Sequence, residues 1–149
     1  MKGGKRIFLS GMLLILLAFG LTGCSQTSQQ QAGENSFSLK VLCDSQDIYQ
    51  IFYTYYVDGV SCGMGGMADL EGGEITPETD LTVVFPEAYF EENLDISKFS
   101  IDFSPYGKDD QSEIATTSPV SIEAEYGNTY TVRFSGDREQ GFQAQLEVP

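Results

Sequence analysis

The chain has no histidine and no tryptophan, and eight lysines and arginines stand against 22 aspartates and glutamates. Without histidine it lacks the usual general base near neutral pH, the ordinary Ser-His or Cys-His pair and the commonest zinc ligand. Beyond the N-terminal segment the lysines are Lys40, Lys98 and Lys108, none in a Ser-x-x-Lys setting. Lys98 precedes an alternating run and is expected to face solvent. Paired carboxylates are the one acid–base system available, and no spacing singles out a pair. The missing tryptophan removes a hallmark of antibody-type domains. The formal net charge of −14 argues against nucleic acid as a partner, because phosphate binding needs Lys and Arg. No polybasic patch favours direct adhesion to anionic lipid headgroups. Solubility is the simplest account of the charge, and a cationic ligand or calcium is the weaker alternative. "DSQD" (44–47) and "KDDQSE" (108–113) hold spaced oxygen donors, but neither matches the twelve-residue calcium loop, so turn chemistry is expected there.

Long apolar runs are scarce as well. The single one runs from Ile7 to Leu21, preceded by Lys2, Lys5 and Arg6. It has the length of a signal-peptide core and falls short of the roughly 20 residues that span a bilayer. It ends in Leu21-Thr22-Gly23-Cys24. This pattern resembles the lipobox of bacterial lipoproteins. The resemblance covers residues 1–24 and implies removal of residues 1–23, with a diacylglycerol thioether on Cys24 as the only covalent group expected. It also implies a domain held at the bacterial cell membrane on the extracytoplasmic side. Two acyl chains suffice for stable anchoring, at about 0.8 kcal/mol per buried methylene. "SQTSQQQAGENS" (25–36) offers nothing to seed a core, so residues 24–36 read as the lipidated cysteine and a flexible polar tether.

Residues 37–149 are expected to form one domain, long enough for a sizeable core. Alternation of period two dominates. Phe99, Ile101 and Phe103 oppose Ser100, Asp102 and Ser104, and Phe142, Ala144, Leu146 and Val148 oppose Gln143, Gln145 and Glu147. Two hairpins are expected, one turning at Asp58-Gly59 and one joining Val120–Ala124 to Tyr130–Phe134 through Gly127-Asn128. "FSLKVLC" and "DLTVVF" supply further strands, and "PEAYFEENL" holds at most a turn of helix. The expected fold is all-β: an antiparallel β-sandwich of about eight short strands, immunoglobulin-like in architecture.

In an exported chain, Cys43 and Cys62 invite a disulfide. In a simple meander they would lie about 23 Å apart, at roughly 3.3 Å per residue over seven residues. A bridge therefore needs the strand bearing Cys43 not to pair with the one that follows, for instance by lying in the opposite sheet; otherwise both are small buried apolar residues. "SCGMGGMADLEGGE" (61–74) reads as a bulged strand and turn in preference to a mobile ligand loop. The aromatic strand is the more informative feature. Tyr49, Ile51, Tyr53, Tyr55 and Val57 face one way, while Phe52 and Tyr56 face the other with Gln50 and Thr54. Phe52 and Tyr56 are thus the candidate binding face, since a ring with a polar tip suits partner surfaces and sugars. The expected function is a noncatalytic module binding protein, peptide or glycan. A carboxylate-dependent hydrolase of envelope or external polymers, or a ligand-free spacer, is the alternative.

Overall fold

A computed structural model describes residues 32–148, so the apolar run and Cys24 lie outside the described residues. Eight strands form two four-stranded sheets: β1 (Ser36–Cys43), β2 (Gln50–Val57), β3 (Val60–Ala68), β4 (Leu81–Pro86), β5 (Phe99–Tyr106), β6 (Val120–Ile122), β7 (Thr129–Asp137) and β8 (Gly141–Glu147). The first sheet is ordered β4-β1-β7-β8 and the second β3-β2-β5-β6. The chain is an all-β sandwich. Single 3-10 turns over Glu87–Tyr89 and Ile96–Lys98 are the helical elements among the described residues.

Alternation explains which side of each strand is core. Phe37, Leu39, Val41 and Cys43 of β1 face Ile51, Tyr55 and Val57 of β2 and Phe99, Ile101 and Phe103 of β5 across one buried cluster. Rings concentrate at one end of it, where Phe37 stacks on Phe85 at 5.0 Å and meets Phe99 edge-on at 5.0 Å. Residues expected in the tether already belong to the fold. Ser36 is buried at the start of β1, and the Asn35 carbonyl accepts from the Glu87 N–H at 2.9 Å.

Three expectations are corrected. The sandwich is not wholly antiparallel, because β1 runs parallel to β7 in the register Ser38↔Thr129 to Cys43↔Phe134. A parallel partner needs a long crossover, and here the chain between them supplies five strands. Secondly, the hairpin through Gly127-Asn128 does not form, although Gly127 does turn, with φ +87°. Its first arm, β6, pairs with β5, and its second, β7, lies in the other sheet between β1 and β8. β1 takes over the turn's backbone, the Ser36 carbonyl accepting from the Gly127 N–H and the Ser38 N–H donating to the Asn128 carbonyl. Finally, Val148 lies beyond β8 and is 85% exposed.

Cys43 and Cys62 sit in opposite sheets yet are free thiols. Cys43 closes β1 at the end opposite Phe37, whereas Cys62 lies beside Tyr55, which packs on Phe99 and hence at Phe37's end. The strand's length separates them, and a bridge cannot span it. Burial pushes the Cys43 thiol's pKa up, which keeps it protonated.

Candidate functional site

The Asp58-Gly59 hairpin aims the candidate face. Both residues have positive φ, 51° and 77°, as a two-residue turn matching strand twist requires. Val57 and Val60 close the turn, and the register then shifts between Tyr55 and Tyr56, so that Tyr56 opposes Ser61 and Tyr55 opposes Gly63. Cys62 is the extra residue of this bulge, one place off the simple register. The alternation of β2 survives: Ile51, Tyr55 and Val57 are buried, whereas Phe52 on the other side is 44% exposed.

Gly63, Gly65 and Gly66 lie in β3, in line with the bulged-strand reading, and the rings of β2 lie across them. A Cβ at Gly63 would stand 2.5 Å from the Tyr55 hydroxyl, and one at Gly65 would overlap the Tyr53 ring. Gly66 serves the outer side, where a Cβ would meet the Phe52 ring at 3.2 Å. Phe52 thus lies over Gly66 and keeps 44% of its surface exposed.

β5 supplies the rest of the face. Phe52 opposes Ser104 and Thr54 opposes Asp102, so Asp102 and Tyr106 are the diagonal neighbours of Phe52. Tyr106 meets Phe52 at 5.1 Å between ring centroids and 64° between planes, a wall beside a floor. Its hydroxyl donates to Glu113 Oε2 at 3.2 Å, and Ser104 shares a 2.8 Å hydrogen bond with Thr116. Tyr56 donates to Asp102 Oδ2 at 2.8 Å. That bond is the chief cause holding the Tyr56 phenol above its ordinary pKa, with desolvation second. Asp102 is only 8% exposed although it points away from the core. Met64, 79% exposed, extends the apolar part of the face onto β3.

Phe52 and Tyr56 are thus on one outward face, as the alternation implied. Asp102, Tyr106, Glu113 and Met64 join them without having been singled out. Tyr106 shares the parity of Ser100, Asp102 and Ser104, and carrying the alternation through Pro105 would have found it. Glu113 reaches the face through the 107–119 loop, for which the sequence gives no periodic signal.

Other candidates are occupied by structural work. A cleft of about 680 Å³ opens beside the hairpin turn, lined by Lys98, Ser100, Ser121, Glu123, Tyr130 and Leu146 among others. Lys98 faces solvent there and pairs with Asp58 at 3.1 Å. The Tyr130 hydroxyl donates to the Glu123 carbonyl and accepts from the Glu125 N–H. In "DSQD", Asp44 pairs with Arg133, and the Asp47 N–H donates to Glu74 Oε1. In "KDDQSE", Asp110 accepts from the Gly107 N–H and pairs with Arg138. Among the described residues no group of three or more His, Cys, Asp or Glu is placed to hold a metal ion. None of their helices is long and apolar enough to cross a membrane.

No protein-family model and no curated protein matches the sequence. Among solved structures, the chain is similar to a disulfide-locked mutant of intermedilysin with human CD59, at 13% identity and a TM-score of 0.37. The match covers 76% of this chain and 24% of that one. The chain thus spans about a quarter of that protein's length. A likeness of this degree assigns neither family nor function.

Proposed function

We propose that the protein is a lipoprotein anchored through Cys24, whose domain stands on the extracytoplasmic side of a bacterial membrane as a noncatalytic module for a protein, peptide or glycan. The observation that carries the reading is the outer face of the second sheet, where Phe52 lies open beside Tyr106 and the Tyr56–Asp102 pair. A partly exposed ring seated over glycine offers a stacking surface, and the phenols and carboxylates around it offer directional hydrogen bonds. Aromatic exposure also weighs against a ligand-free spacer, for which Phe52 and Tyr89, 58% exposed, would be without purpose. We read the immunoglobulin likeness as one of architecture, two facing sheets with a shared core.

A thermal-shift screen of the full chain in detergent, against neutral and amino sugars, cell-wall peptides, small amines and calcium, tests the reading. A ligand at 100 times its dissociation constant adds about 2.7 kcal/mol and moves the midpoint by several degrees. Phe52→Ala should abolish the shift. A shift that survives Phe52→Ala and Tyr56→Phe would remove this face from consideration, and hydrolytic turnover lost on a single Asp or Glu substitution would replace the binding module with an enzyme.

A further inference from the structure

We infer that the edge of β3 is a docking edge for an extended segment of another protein, one apolar or hydroxylated in its middle and basic at the end that meets Asp69. This reading rests on the strand edge and does not require the ring-bearing face to bind anything. Among the described residues β3 bonds to β2 on one side only and is the edge of its sheet. An open edge presents a row of backbone donors and acceptors, and proteins usually blunt it with charge, proline or brevity. The other edges are blunted in these ways. β6 is three residues long, β4 ends in Pro86, and β8 carries Glu147 tied to Arg133. β3 is nine residues long, "VSCGMGGMA", with no charge and no proline.

Its side chains also leave room. Gly63, Gly65 and Gly66 put nothing between the edge and an incoming backbone, while the rings of Tyr53, Tyr55 and Phe52 lie against those same glycines. Val60 and Met64, 61% and 79% exposed, offer apolar contact along the strand. The bulge at Cys62 lies near the hairpin, so the regular stretch available for pairing is Gly63–Ala68.

Charge selects the occupant. Asp58 stands before β3, and Asp69 and Glu71 follow it. Asp69 is held in place by N–H bonds from Glu71 and Gly73, which fixes a carboxylate at that end. A second copy adding its own β3 antiparallel would set Asp69 beside the other copy's Asp58 turn, in a chain already at −14. Asp58 already pairs with Lys98 at 3.1 Å, so the acidic end without a basic partner among the described residues is Asp69 with Glu71; a second copy at −14 brings more negative charge to it, whereas a lysine or arginine at that end of a foreign strand meets it. Strand addition of this kind takes affinity from backbone bonds and specificity from alternate side chains and ends.

The test uses the full chain in detergent and synthetic peptides of roughly ten residues, the length of an ordinary strand. One set alternates Val and Thr between paired lysines, a second replaces the lysines with glutamates, and a third N-methylates alternate amides along one edge. Hydrogen exchange should slow by about tenfold at alternate amides of 63–68 with the lysine-ended peptide and not with the glutamate-ended one. N-methylation should weaken binding by about tenfold or more, as should Met64→Lys, which adds charge at an exposed position. Phe52→Ala should leave the protection intact, which separates this edge from the outer-face reading. Absence of protection in β3 at millimolar peptide, or equal binding of the N-methylated set, would overturn the inference. Protection of β3 that grows with protein concentration alone would overturn it in favour of a second copy.

Discussion

The two sheets share one core and differ on their outer sides. The first sheet turns Ser38, Lys40 and Leu42 of β1, Thr82 and Val84 of β4, Thr131, Arg133 and Ser135 of β7, and Gln143 and Gln145 of β8 away from the core. Those side chains are mostly hydroxyls and amides, with Lys40, two aliphatics and one arginine clamped between Asp44 and Glu147, and none is aromatic. The second sheet turns out Phe52, Tyr56, Tyr106 and Met64, with Asp102 beneath. A half-buried strand needs only one apolar side, and the first sheet shows that the other can do without aromatic rings. The rings of the second sheet are thus surplus to folding, which is why that face is the candidate for recognition.

This comparison breaks most sharply where the core rings are removed. Phe99 is 1% exposed and touches the rings of Phe37, Tyr55 and Phe85. Phe99→Ala should cost about 3–5 kcal/mol in denaturant unfolding, enough to leave a domain of this size partly unfolded. Next in size is Gly65→Ala, which drives a methyl into the Tyr53 ring and should cost about 1–3 kcal/mol. Equal stability in Gly65→Ala would mean that Tyr53 swings out freely, and the rings of β2 would then not be pinned by glycine.

Much of this division was legible beforehand. The parity of β2 and β5 placed every core ring on those strands correctly, because one buried face enforces a period of two. The Asp58-Gly59 turn was legible from its two residue types, which tolerate positive φ. What escaped was long-range. Nothing local says that Thr129–Asp137 will pair parallel with Ser36–Cys43, since the bonds that decide it come from strands far apart in sequence. The same holds for Gly127, whose turn chemistry is right but whose two arms are claimed by different sheets. The alternation marks Asp102 as an outward polar residue, which it is, but its bond to Tyr56 depends on a diagonal contact between β2 and β5.

On the outer face the expected effects are smaller for stability and larger for binding. Phe52→Ala should change unfolding free energy by no more than about 1 kcal/mol, while lowering ligand affinity by about tenfold or more once a ligand is in hand. Tyr56→Phe removes the donor to Asp102 and should cost about 1 kcal/mol, because the carboxylate is left with less solvation than it needs. A Phe52→Ala variant as unstable as Phe99→Ala would show the outer ring to be a second core, and the contrast between the sheets would fall.

The smallest effect is the one that best separates the two sides of β2. Tyr53 and Tyr55 have their phenol pKa raised chiefly by burial, and Tyr56 chiefly by the hydrogen bond it gives Asp102. All three folded values lie above the ordinary 10.0, so the folded state holds protons that the unfolded state releases. Their stabilisation is complete below pH 10 and is lost as pH climbs from there through the folded values. Asp110 runs the other way: Arg138, then the Gly107 N–H, hold its carboxyl below 3.8, so its contribution is present at neutral pH and lost on acidification through the folded value. Urea unfolding across the alkaline range should therefore show declining stability, with a shallower decline in Tyr56→Phe. Phenolate absorbance of the folded chain discriminates further. Tyr56 lies at the surface and should titrate before the chain unfolds, whereas Tyr53 and Tyr55 should titrate with unfolding. If Tyr56→Phe left the native-state titration unchanged, the phenol would not be at the surface, and the outer face would lose the hydrogen-bonding half of its case.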